Sequence, residues 1–137
     1  MGLEPVHGRV DVVASLVEGL SVALPGSVVR ADRDAAYRPD VVMTVVSVAS
    51  SRQLGVLPGA RWAVSATAVL ATTGPDFDVT VTEAERVGDA LLSLTGAGEV
   101  RFSSVKCDSE PVRLSPHNPT GAEMVSQTFS LIARRGA

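Results

Sequence analysis

Apolar residues recur at helical spacing near the start of the chain. Val10, Val13, Leu16, Val17, Leu20 and Leu24 fall on one side of a helix predicted over residues 9–24, which Pro25-Gly26 stops. Residues 27–31 read as a short strand, and the charged stretch 32–40, which holds Pro39, reads as a surface loop. Residues 41–49 follow as Val-Val-Met-Thr-Val-Val-Ser-Val-Ala, a strand apolar on both faces. Such strands are usually covered on both sides. Gly55, Pro58 and Gly59 mark residues 51–60 as a long hairpin loop. Over 61–72 the alternation is clean, with Trp62, Val64, Ala66, Ala68 and Leu70 lining one face.

The second half continues with a helix predicted over residues 82–94. Thr80 to Glu83 and Thr82 to Glu85 both fit a capping box, in which a hydroxyl and a carboxylate satisfy free backbone donors. Ala84, Val87, Leu91 and Leu94 form its buried stripe, Gly96 suits its exit, and Glu83 and Arg86 pair on its exposed side. The strand predicted over 99–108 changes phase, since Val100 and Phe102 share one face while Val105 and Cys107 share the other. A one-residue bulge near Ser103-Ser104 reconciles them. A Pro-rich loop, 108–122, leads to a last strand, 124–134, with Val125, Phe129, Leu131 and Ala133 on one side and Gln127 interrupting it.

The coarse order is α-β-β-β-α-β-β. It implies an α+β fold with two helices on a mixed, mostly antiparallel sheet of about five strands. Residues 1–8 read as an N-terminal arm and 9–137 as one domain. Two helices cover one face of such a sheet and little more, so the second face calls for a neighbouring subunit or a folded-back loop.

Charge and composition narrow the function classes. The net charge of -3 opposes binding of a phosphate backbone as the main role, and the few aromatics do not interleave with basic residues as a base-stacking platform does. Cys107 is the only cysteine, which excludes an internal disulfide. The start lacks a basic, apolar export segment, and no apolar run approaches a membrane span of roughly 20 residues. The reading is a soluble protein made in a cytoplasm.

No catalytic constellation is legible, so the chain reads as no enzyme, with no cofactor and no metal. Asp32 with Asp34, and Asp76 with Asp78, each set two carboxylates two apart, short of the oxygen series that a calcium loop needs. Cys107 sits in a predicted strand with no histidine placed beside it and reads as a buried structural thiol. His7 and His117 lie far apart in sequence, and Gly96-Ala97-Gly98 neither follows a strand nor opens a helix as a dinucleotide fingerprint does.

The element order carries a resemblance, together with Gly74-Pro75-Asp76 approaching a helix of Glu83-Ala-Glu-Arg-Val-Gly-Asp-Ala-Leu-Leu and a Pro-rich loop before an Arg-ended strand. Over residues 9–135 the chain resembles the tail terminator proteins of long-tailed bacteriophages. The resemblance implies a virion protein at the tail–neck junction, a homohexameric ring that caps the tail tube and ends its polymerisation. Its implied partners are its own copies, the tail tube protein and a head-completion or connector protein. DNA passes through without specific binding, and no membrane is involved.

Three groups of residues are candidates for such contacts. Leu54, Val56 and Leu57 beside Arg52 place apolar side chains in a hairpin tip, poorly sheltered unless packed on an adjacent subunit or the tube. In the Pro-rich loop, Arg113, Leu114, His117 and Asn118 are the side chains best able to reach a neck partner. Asp32, Asp34, Asp76 and Asp78 are candidates to face a DNA-transmitting lumen and repel the genome. Two rival readings remain: another neck component, and a small-molecule-binding or enzymatic α+β domain with a polar pocket.

Overall fold

The computed structural model describes residues 10–32, 41–57, 61–114 and 123–135, with 55–57 and 61–62 described in backbone only. The expected arm 1–8 lies outside the described residues. The element order is α1 (Val12–Ala23), β1 (Val29–Ala31), β2 (Met43–Leu57), β3 (Arg61–Gly74), α2 (Phe77–Leu92), β4 (Gly96–Ala97), β5 (Val100–Arg113) and β6 (Glu123–Arg135). The strands form one six-stranded sheet in the order β1-β2-β3-β6-β5-β4. Among the described strands only the β1–β2 pair is parallel. The α+β class and the mostly antiparallel sheet agree with the sequence reading, and the two-residue β4 is the strand it lacked.

The helix α1 starts where Asp11 Oδ1 accepts the Ala14 amide at 3.0 Å, two to three residues later than expected. Its stripe seats Leu16 and Leu20 at zero exposure in the core. The amide of Leu24 then donates to the Leu20 carbonyl, and Pro25 ends the helix.

Both helices lie on the same face of the sheet. Every second residue of the central strands enters the layer beneath them: Ala66, Ala68 and Leu70 from β3, and Phe129, Leu131 and Ala133 from β6. Val46, Val87 and Leu91 close this core, each at zero exposure. Three polar side chains enter it hydrogen-bonded. The hydroxyls of Thr44 and Thr72 meet at 2.8 Å across β2 and β3, and Gln127 Nε2 donates to the Ala84 carbonyl of α2 at 2.7 Å. Gln127, which interrupts the apolar face of β6 in the sequence, thus ties the helix to the sheet.

The opposite face alternates with the core face and carries Val45 on β2, Ser65, Thr67 and Val69 on β3, and Thr128, Ser130 and Ile132 on β6. These side chains are half-exposed, and among the described residues no element packs over them. Val41–Val48 is apolar on both faces in sequence; the helices seal the Val46 side, and on the other side Met43 is buried while Val45 is half-exposed.

Candidate assembly surfaces

The segment 51–57, expected in a loop, continues β2. It pairs with β3 as far as Leu57 opposite Arg61, with register shifts between Val48 and Ser50 and between Gln53 and Gly55. The bulges absorb Gly55 without ending the strand, which is why the turn signals misled. Arg52 and Leu54 therefore stand on a strand edge rather than at a loop tip, both exposed, Leu54 by 46%. Val56 and Leu57 lie in the same strand, where only backbone is described.

The helix α2 begins at Phe77, a turn and a half before the expected start. Its cap is Asp76, whose Oδ2 accepts the Val79 amide at 3.3 Å while Thr80 Oγ1 donates to the Asp76 carbonyl at 2.6 Å. Neither threonine hydroxyl of the two expected boxes caps a helix start: Thr80 is buried in the first turns and Thr82 is exposed. Asp76 is thus a capping residue, and Asp78 lies in the first turn, where a carboxylate meets the positive end of the helix dipole. Asp32 is exposed just after β1, and Asp34 lies outside the described residues. The expected Glu83–Arg86 pair is present at 3.7 Å.

The β5–β6 arm is also longer than expected, because β5 runs through Pro111 to Arg113. An edge strand tolerates proline, since its amide has no partner to lose. The phase change falls where expected: the register shifts between Ser103 and Lys106, with Ser104 at φ 54°. Two more irregularities follow, between Cys107 and Ser109 and between Ser109 and Val112.

Arg113 closes the far end of this arm. Its guanidinium forms a two-pronged contact with Glu123, Nε to Oε2 at 3.0 Å and Nη2 to Oε1 at 2.7 Å, and lies 4.6 Å from the centre of the Phe77 ring. Leu114 follows, exposed, its amide donating to the Met124 carbonyl at 3.0 Å. Arg113 and Leu114 therefore share one end of the sheet with the start of α2. Their expected companions His117 and Asn118 lie outside the described residues.

Cys107 is exposed, against the expectation of a buried thiol. It does pair opposite Phe129, on the helix side. There it lines an open cleft of about 270 Å³ with Glu85, Asp89, Leu92 and Glu110 instead of meeting the helix. A second cleft, of about 410 Å³, lies between residues 26–28 and α2 and is lined by Val42, Asp78, Val79, Thr82 and Arg86. Val79 and Leu92 on α2 and Val112 on β5 are half-exposed apolar residues that the sequence reading did not single out. Val79 and Leu92 continue neither the Ala84–Val87–Leu91 stripe nor any other buried face, which was the available signal. Among the described residues no cluster of histidine, cysteine and carboxylates is arranged to hold a metal ion, and no helix is long and apolar enough to cross a membrane.

No protein-family model matches the chain, and a search of curated proteins finds no match. Among solved structures, one chain of an assembly described as "Virion of native gene transfer agent (GTA) particle" is similar at 16% identity and a TM-score of 0.56. The alignment covers 88% of this chain and 92% of that one, a likeness of fold over nearly the whole of both.

Proposed function

We propose that this chain is a structural protein of a phage-like virion, and within it the tail terminator. The observation that carries the reading is the fold likeness to a chain of a gene transfer agent particle, which spans 92% of that chain. The element order read from the sequence points the same way. The role is mechanical: copies of the chain close into a ring, six by resemblance, that seats on the tail tube, ends its growth and offers its outer rim to a head-completion protein. Arg52 and Leu54 on the β2 edge are the proposed contact to a neighbouring copy or the tube. Arg113 and Leu114, held at the opposite end of the sheet by Glu123 and Phe77, are the proposed contact to the neck partner.

Electron microscopy of the protein mixed with purified tail tubes tests this. A density capping one end of each tube is the expected result. Bare tube ends, with the protein recovered on portal-bearing heads instead, would reject the terminator role and select another neck component.

A further inference from the structure

The charges of the strands are sorted by face. On the helix side each strand arginine among the described residues has a carboxylate: Arg113 has Glu123 at 2.7 Å and Arg135 has Glu99 at 2.9 Å. On the helix-free side stand Arg30, Arg52, Arg101, Lys106 and Arg134, opposite Val45, Ser65, Arg134, Ser130 and Ala63. None of the five has an ion-pair partner among the described residues. Among the described residues the strand carboxylate on that side is Asp108, engaged by the Ser130 hydroxyl. Glu110 lies in the cleft beside α2. Arg101 and Arg134 face each other directly across β5 and β6, a like-charge pairing that opposes folding and that an anion would relieve. Between the cations stand the hydroxyls of Ser65, Thr67, Thr128 and Ser130 and the apolar Val45, Val69 and Ile132, all half-exposed.

We infer that the helix-free face of the sheet binds the phosphate backbone of double-stranded DNA without reading its sequence. Phosphate oxygens are held in protein–DNA complexes by Arg, Lys, Ser and Thr, the residues present here. The described residues of this face include no aromatic side chain, so bases have nothing to stack on, and a duplex fits better than a single strand. Lys106 and the row of Ser and Thr weigh against the core of a protein interface, where Lys and Ser are depleted, although Arg and Met, here Met124, are enriched there. The overall charge of -3 opposes such binding as the main role of the chain, but it does not describe this face. The acidic residues of α2 lie behind the sheet, roughly 10 Å away at the spacing of packed layers, and salt screens charge over about 8 Å at physiological strength. The inference rests on charge placement and stands whether or not the ring forms.

Fluorescence anisotropy of a labelled mixed-sequence DNA duplex, titrated with the full-length protein over a salt series, tests it. With Arg30, Arg101, Lys106 and Arg134 in contact and Arg52 engaged in the subunit contact, affinity should fall roughly 150-fold between 50 and 200 mM salt. Arg101→Ser and Arg134→Ser should each lower the log–log salt slope by about 1, and Arg86→Ser, on the helix side, should leave it unchanged. Circular dichroism confirms that each variant is folded. The inference is overturned if the duplex does not bind at the lowest salt, or if Arg86→Ser weakens binding as much as Arg134→Ser. It is also overturned if sedimentation shows the Arg101→Ser, Arg134→Ser pair dissociating a homo-oligomer while DNA affinity is untouched, which would assign the face to a second copy. A tube end left uncapped in the microscope leaves these outcomes as they are.

Discussion

Gly19 and Gly88 show how one residue type serves two packing situations. Both lie within helices, where replacing Gly by Ala ordinarily gains about 0.5–1 kcal/mol of backbone entropy. A Cβ on Gly19 would meet the methyl end of Leu94 at 2.8 Å, and a leucine terminus can rotate away. A Cβ on Gly88 would stand 2.6 Å from Gln127 Oε1 and 3.3 Å from Phe129 Cζ. That amide cannot yield, because its Nε2 is bonded to the Ala84 carbonyl. Gly19→Ala should therefore be neutral or slightly stabilising, whereas Gly88→Ala should cost about 1–3 kcal/mol by overpacking, read from urea midpoints at constant m-value. Ser104 offers the converse case: its φ of 54° is left-handed, so Ser104→Gly should gain up to about 1 kcal/mol if the bulge is kept.

Competing local signals decided which elements could be read in advance. Asp76 and the two Thr-x-x-Glu patterns all look like helix starts, and only the first is used. Asp76→Ala should cost about 1 kcal/mol in thermal or urea unfolding, and Thr82→Ala less than about 0.5, which separates the two starts by experiment. The strands of the core were legible because one face alternates against polar residues. The bulge at Ser103-Ser104 was legible because an apolar stripe can change faces within one strand only where a residue is inserted. The lengths of the two arms were not. Gly55 and Pro111 are read as punctuation in a lone sequence, yet an edge strand accommodates both, one at a bulge and one without an amide to pair. Alternation puts Cys107 on the correct side of β5, but it cannot tell how far a helix reaches across a strand. The same limit hid the charge sorting: parity puts Arg134 opposite the Phe129 side, but only the register shows Arg101 beside it. Three irregularities, together with Lys106 and Pro111, also make the outer edge of β5 a poor template for another strand, a protection common in natural sheets.

At the scale of the whole molecule, the core is one layer deep and sealed from one side. Central β3 and β6 are flanked by strands and roofed by α2, while β1 and β4 are short edges. Hydrogen exchange followed by mass spectrometry should find Leu70 and Phe129 among the slowest amides, and residues 29–31 and 96–97 the fastest strand positions. Assembly should add protection along the β2 edge near Leu54. Leu54→Asp, at an exposed site, should leave the unfolding midpoint within about 0.5 kcal/mol of the parent yet lower the mass seen by light scattering toward that of one 14.2 kDa subunit. An unaltered mass would remove that edge from the contact. The exposed thiol of Cys107 has a practical bearing on the same question. As the chain's single cysteine, it accepts one maleimide dye per copy. The number of bleaching steps in one labelled particle would then give the stoichiometry directly.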